Sequence, residues 1–193
     1  ALLAWARRYP VLAGLLLGLG ASFKFYPVLV LGPLLILCLR AGRLRPWLLT
    51  FGAALLMWLA ANVPIMLARF EGWSRFYTFS SERGADFGSP WLVARDAFGI
   101  DPPIEQLNLW AAGVLVVLCA GIGLLILAAP RRPRLHQVVF LTVAAFVITN
   151  KVYSPQFVVW LIPLAVLARP RWRDFLWWQA AQVVYFFAVW WYI

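Results

Sequence analysis

The chain has 193 residues, of which 64% are hydrophobic, 17% aromatic and only 12% charged, and its formal net charge is +10. Soluble domains carry about 25% charged residues, so this composition excludes a water-soluble enzyme, a nucleic-acid-binding domain and a secreted disulfide scaffold. The sequence therefore predicts an integral membrane protein, whose excess of arginine reflects its orientation across the bilayer.

The N-terminal part of the chain contains a pair of short apolar stretches. The uncharged stretch 9–23 is separated from 25–39 by Lys24 alone. Such a pair forms either one overlong helix with a buried lysine or two short helices in a hairpin. Arginines lie before the first stretch and after the second, and Pro27 favours a new first turn. We therefore predict a hairpin with Lys24 at its apex, on the outer side of the membrane.

Two longer stretches follow, 46–68 and 106–130, each sufficient for a membrane span of about 20 residues. Between them lies the predicted outer loop 69–106, which contains six of the seven acidic residues. Aromatic residues three or four positions apart predict an amphipathic helix at its start, in the membrane interface: Phe70, Trp73, Phe76, Tyr77 and Phe79. A turn is predicted at 84–90, so we expect an ordered loop.

The C-terminal part repeats the hairpin pattern. Lys151 alone separates the uncharged stretches 137–150 and 152–168, and arginines again lie on both flanks. The predicted fold is all-α: a polytopic transmembrane helix bundle with short hairpin helices, forming a single transmembrane domain over 1–193. About seven membrane segments are expected, at 9–23, 26–40, 47–68, 107–129, 137–150, 155–168 and 175–193.

The charges also predict an orientation. With this layout one side holds eleven arginines and one acidic residue, whereas the other holds six basic and six acidic residues. Cytoplasmic loops collect positive charge. We therefore expect a multi-pass plasma membrane protein with a cytoplasmic N-terminus and an extracytoplasmic loop 69–106.

The two lysine motifs are candidates for chemistry. Ionisable residues at membrane depth cost about 2.5–3.5 kcal/mol on insertion scales and tend to be functional. A lysine ammonium is a compact charge suited to phosphate, so Lys24 and Lys151 together would hold a phosphate at the membrane surface. The alternative is that each lysine only anchors its hairpin at the lipid headgroups.

The loop run 80–86 is the second candidate. Its carboxylates, Glu82 and Asp86, are weak candidates for a general base, and Arg83 is a candidate ligand for a phosphate or sugar. The alternative is a solvated turn with surface ion pairs. Neither the single histidine, His136, nor the two cysteines have the spacing of metal ligands, so no metal site and no cofactor are predicted, although a divalent metal ion stays open.

Three segments, 18–27, 71–86 and 150–156, resemble the actinobacterial family 87 glycosyltransferases. These are multi-spanning enzymes of the GT-C class, typified by polyprenyl-phosphate-mannose-dependent mannosyltransferases. The resemblance covers nearly all of the chain, and the run Asn-Lys-Val-Tyr-Ser-Pro-Gln at 150–156 is its most specific part.

The resemblance implies a hexosyltransferase acting on the extracytoplasmic face. A polyprenyl-phosphate sugar donor, with mannose as the expected hexose, would give its sugar to a lipid-linked or cell-envelope glycan acceptor. By this match Lys24, Lys151 and Arg83 would bind the donor phosphate, and neighbouring residues would line the site: Tyr26, Asn150, Tyr153, Ser154 and Gln156. Membrane lipids are the remaining expected partners, and nucleic acid is not one.

In this class the usual catalytic Asp lies in the first outer loop, and no acidic residue precedes Glu71. We expect the base to lie upstream of residue 1 and this fragment to be inactive alone. Two other functions stay open. One is a transporter or flippase of a phospholipid-linked substrate, because broken helices with polar apices also occur in transporters. The other is a non-catalytic partner in envelope synthesis.

Overall fold

In the computed structural model, which describes residues 1–192, all regular secondary structure within that range is helical. The all-α prediction is therefore confirmed. The α-helices are α1 (Leu2–Ala6), α2 (Pro10–Phe23), α3 (Leu31–Arg40), α4 (Arg45–Ala68), α5 (Phe70–Glu82), α6 (Pro90–Phe98), α7 (Ile104–Ala128), α8 (Leu135–Thr149), α9 (Phe157–Ala168) and α10 (Trp172–Tyr192). A 3-10 helix, Tyr26–Val30, leads directly into α3.

Both predicted helix breaks are present. Helix α2 ends just before Lys24, whose extended backbone (φ −149°, ψ 132°) leads into the 3-10 helix. Residues 150–156 likewise separate α8 from α9. At the opposite end of this second pair, the Gln137 amide on α8 donates to the Ala168 carbonyl on α9 at 3.4 Å. Helices α8 and α9 therefore run antiparallel, as a hairpin requires.

The helices have the lengths and exposed surfaces of a membrane bundle. Helices α4 and α7 are long and apolar enough to cross a membrane, and α2, α3, α8 and α9 are shorter apolar helices. Large apolar side chains face outwards, including Leu67 at 84% and Leu109 at 71% exposure, which suits contact with lipid. Each of the seven predicted segments coincides with a helix, but the number that cross the membrane stays a prediction, and residue 193 lies outside the described residues.

The bundle has a lysine end and an arginine end. At the start of α7, Asn108 contacts the Lys151 ammonium. At the end of α7, Arg40 donates to the carbonyls of Ile126 and Ala129. Asn108 and Ala129, the residue that caps α7, lie 21 positions apart, which is about 30 Å at 1.5 Å per residue. The two groups of charge thus lie about one hydrocarbon thickness apart.

Helices α2 and α4 make the closest helix packing described. A Cβ placed on Gly14 would lie 2.2 Å from the Thr50 carbonyl oxygen, and one on Gly18 would lie 2.2 Å from that of Ala54. Glycines four residues apart let two helix backbones approach in this way. The main core lies beside this contact, between α2, α3, α8 and α9, and includes Leu17, Leu34, Val139, Val143, Val147, Leu161 and Leu164.

The predicted outer loop 69–106 contains two helices. Helix α5 coincides with the helix predicted from the aromatic spacing; its place in the membrane interface stays a prediction. Helix α6 was not predicted, although its signals are in the sequence. The Ser89 hydroxyl accepts from the Leu92 amide as an N-cap, Pro90 is the first helical residue, and Gly99 ends the helix with φ +68°.

Candidate functional site

An open cleft of about 380 Å³ lies at the lysine end, where the two helix breaks meet α5. Seven of the predicted site residues line it: Lys24, Tyr26, Arg83, Asn150, Lys151, Ser154 and Gln156. Residues from three distant parts of the sequence therefore meet in one place. The remaining lining comes from aromatic side chains and neighbouring residues of α5, α8 and α9.

Lys24 contributes the accessible ammonium of this cleft. Its backbone amide closes α2 by donating to the Gly20 carbonyl at 2.9 Å, which leaves the side chain beyond the helix end. The side chain is exposed, and among residues 1–192 its ammonium has no hydrogen-bond or ion-pair partner. Lys24 is thus free to bind an anion in the cleft.

Aromatic rings form one wall of the cleft. The Tyr26 ring stacks on Trp160 with 4.4 Å between centroids, and the Phe157 ring stacks on the same indole, also at 4.4 Å. Phe157 and Trp160 are new members of the site. They fall on the apolar stretch of α9, where a core or lipid-facing role is the ordinary interpretation, so no pattern in the sequence indicates a role in the site.

Arg83 also lines this cleft. Its guanidinium forms an ion pair with Asp86 and lies 5.7 Å from the centre of the Phe79 ring. Burial raises the pKa of the Asp86 carboxyl, but the hydrogen bonds from Arg83 and the Phe87 amide outweigh this and hold the pKa below its usual value. Asp86 therefore stays ionised at neutral pH.

Lys151 also lines the cleft but differs from Lys24 in its surroundings. It is 8% exposed, and its ammonium donates to the carbonyls of Ser80 at 2.9 Å, Ser81 at 3.4 Å and Arg83. The fourth partner is the Asn108 side-chain oxygen, at 2.6 Å. Burial and the nearby Arg83 guanidinium lower the pKa of Lys151, whereas the four oxygens favour its charged form.

Three predicted site residues do not line the cleft. Glu82 is exposed at the end of α5, and Asp86 is held by Arg83. Tyr153 is directed towards α10: its hydroxyl bonds to the Gln182 side chain at 3.0 Å, and its carbonyl accepts from the Tyr185 hydroxyl at 2.5 Å. Both weak candidates for the base thus lie outside the lining of the cleft.

Asn108 is the polar residue that the sequence analysis missed. Besides accepting from Lys151, it donates to the Ser81 carbonyl at 2.8 Å. It lies in the first turns of an apolar helix, where an asparagine gives no recognisable signal. Within the described residues, no group of three or more His, Cys, Asp or Glu side chains could hold a metal ion.

Comparison with known proteins agrees with this architecture. The model of glycosyltransferase family 87 matches residues 1–155, about four fifths of the chain. The chain belongs to glycosyltransferase family 87. The predicted family is therefore confirmed, and its most specific motif, at 150–156, falls at the end of the match.

One curated relative is similar to most of the chain. GPI mannosyltransferase 1 of Eremothecium gossypii is 28% identical over 161 residues, a region covering 78% of this chain and 40% of the relative. The chain thus spans two fifths of that protein's length. Nothing in these matches supports the actinobacterial origin suggested by the resemblance. No solved structure matches the chain significantly.

Proposed function

We propose that this chain is part of a membrane glycosyltransferase that transfers a hexose, mannose, from a polyprenyl-phosphate sugar to a lipid-linked or cell-envelope glycan acceptor. The observation that carries the proposal is the cleft of a family 87 chain, in which the free ammonium of Lys24 and the Arg83 guanidinium share one space with an aromatic wall. Mannose as the sugar is supported by the activity of the Eremothecium gossypii relative.

The cleft residues suit the charge that develops during such a transfer. The acceptor hydroxyl oxygen forms a bond to C1 of the sugar while the bond between C1 and the phosphate oxygen breaks. The hydroxyl proton passes to a base, and the electron pair of the broken bond stays on the polyprenyl phosphate. Lys24 and Arg83 would stabilise this leaving phosphate, Lys24 as a point charge and Arg83 through its planar set of donors.

The uncharged residues of the cleft suit the sugar. The aromatic wall of Tyr26, Trp160 and Phe157 would pack against the apolar face of a hexose. The amide of Asn150 would bond to sugar hydroxyls, with Ser154 and Gln156 as further donors or acceptors. Neither Glu82 nor Asp86 is assigned as the base, since neither lines the cleft, and the prediction of a base upstream of residue 1 stays a prediction.

We also place the lysine end of the bundle on the extracytoplasmic side of the plasma membrane, with the N-terminus in the cytoplasm. The support is the concentration of arginine at the opposite end, which is typical of cytoplasmic loops. A polyprenyl-phosphate donor would then present its phosphate at the membrane surface to Lys24.

The test is sugar transfer by the full-length protein in native-like membranes supplied with radiolabelled polyprenyl-phosphate-mannose. We expect label to enter the lipid-extractable or glycan fraction, and Lys24→Ala to lower kcat/KM by about tenfold or more, since a hydrogen bond to a charged group contributes about 1.5–3 kcal/mol. Arg75→Ala is the matched control, because Arg75 is an exposed cation on α5 outside the cleft.

Two results would contradict the proposal. Label that crosses the bilayer without entering an acceptor would indicate a transporter. Equal transfer by the Lys24→Ala and Arg75→Ala variants would remove Lys24 from the donor site.

A further inference from the structure

Side chains from outside α5 complete the C-terminal end of that helix. The last carbonyls of a helix have no partner within it, and this end carries the negative pole of the helix dipole. The Lys151 ammonium donates to the Ser80 and Arg83 carbonyls there, and Asn108 donates to Ser81. A cation from the break between α8 and α9 and an amide from α7 therefore close α5.

The backbone that follows α5 is attached to the same break. The Asp86 amide donates to the Lys151 carbonyl at 2.9 Å, and the Tyr153 amide donates to the Phe87 carbonyl at 3.0 Å. Residue 151 thus holds the segment 80–86 by its side chain and by its main chain, and the Tyr153 amide holds Phe87. Ser80 and Arg83, which line the cleft, lie within the segment held in this way.

The hydrogen-bond capacity of Lys151 is fully used by these contacts. An ammonium has three protons, and four protein oxygens lie within hydrogen-bond distance of this one. The ammonium is also buried, so a phosphate in the cleft would have to displace the carbonyls of Ser80, Ser81 and Arg83 from it. Direct phosphate binding by Lys151 would therefore dismantle the end of α5.

We infer that Lys151 and Asn108 are positioning residues that fix the C-terminal end of α5, and with it Arg83, as one wall of the cleft. In this arrangement the donor phosphate contacts Lys24 and Arg83, and Lys151 supports the wall through its hydrogen bonds to the end of α5. The identity of the ligand in this inference, a polyprenyl phosphate, rests on the proposed function. Asn108 does not line the cleft and acts through Lys151 and Ser81.

Asn108→Ala distinguishes positioning from direct binding, because it removes the contacts with Lys151 and Ser81 while the Lys151 ammonium itself stays in place. We expect the full-length variant to bind farnesyl phosphate about tenfold more weakly, measured by quenching of tryptophan fluorescence in detergent. Amide hydrogen exchange in residues 80–88 should rise about tenfold or more. Asn108→Asp keeps an oxygen for Lys151 and should restore binding to within about threefold, and Gln106→Ala, an exposed change on the same helix, should alter neither measurement.

Unchanged or tighter farnesyl phosphate binding by Asn108→Ala would overturn the inference, since phosphate binding would then not depend on the contacts that Asn108 makes with Lys151 and Ser81. Unchanged exchange in 80–88 would overturn it too, because the contacts would not be holding α5. If Asn108→Ala does not fold, weak binding by a folded Asn108→Asp would contradict the inference. Failure of the unsubstituted protein to bind farnesyl phosphate would contradict the proposed function instead, and the exchange measurement would still decide whether Asn108 holds α5.

Discussion

At the scale of single residues, Lys24 and Lys151 lie in similar motifs: each lysine has a tyrosine two positions later and a proline shortly after it. Their surroundings nevertheless give them different chemistry. Lys24 is exposed beyond the end of α2, whereas Lys151 is 8% exposed and bonded to carbonyls of α5 and to Asn108. The sequence predicts both as cleft residues, but only the packing around each ammonium distinguishes the proposed phosphate ligand, Lys24, from the proposed support, Lys151.

The acidic residue beside the cleft gives a prediction for pH. Burial raises the pKa of Asp86, but Arg83 and the Phe87 amide, with Arg95 at longer range, hold it below its ordinary value of 3.8. At a pH between the folded and unfolded pKa values, the Asp86 carboxyl therefore binds fewer protons in the folded protein than in the unfolded chain. The stability contributed by Asp86 is fully present above about pH 3.8 and is lost as the pH falls through the lower folded pKa.

We expect Asp86→Asn to lower the melting temperature at pH 7 by up to about 2–4 °C, since the Arg83 side chain is 42% exposed and such pairs contribute at most about 1 kcal/mol. Thermal unfolding in detergent measures this at each pH. The difference in melting temperature between wild type and variant should narrow as the pH falls below 3.8. A constant difference over the range from pH 7 to 3 would mean that the ion pair is not its cause.

At the scale of helices, the boundaries that the sequence predicts are those fixed by local chemistry. The breaks at Lys24 and Lys151 follow from a charge within an apolar stretch and a nearby proline, so they could be predicted. Helix α6 could have been predicted from Ser89, Pro90 and Gly99. The Asn108 contact could not, because its partner Lys151 is 43 residues away and the pairing depends on how α5, α7 and the α8–α9 break meet.

The packing of α2 on α4 gives a prediction at this scale. We expect Gly18→Ala to destabilise the protein by about 1–3 kcal/mol, because the new Cβ would lie 2.2 Å from the Ala54 carbonyl oxygen and the helices would have to separate. Gly32→Ala in α3 is the matched control, since nothing lies within 4 Å of its Cβ position. Denaturation of both variants in detergent tests this, and equal stabilities would contradict the close packing.

At the scale of the whole molecule, the arrangement of charge connects the fold to the proposed activity. The contacts at the two ends of α7 separate the lysine end from the arginine end by about 30 Å, so the cleft opens at one face of the bundle. The composition and the arginine pattern predict this two-ended bundle, because both depend on sums over many residues. The shape of the cleft depends on individual contacts between distant segments, such as Tyr26 on Trp160, and is therefore visible only in the structure.

Photo-crosslinking tests the central claim, that the cleft at the lysine end binds the donor, most directly. The full-length protein would be labelled in native-like membranes with a polyprenyl-phosphate-mannose analogue carrying a photoreactive group beside the phosphate, and the labelled peptides mapped. We predict label at Lys24–Tyr26, at 79–83 and at 150–157, suppressed by unlabelled donor and reduced in the Lys24→Ala variant. Label confined to the arginine end, or label in the cleft that unlabelled donor does not suppress, would contradict the account.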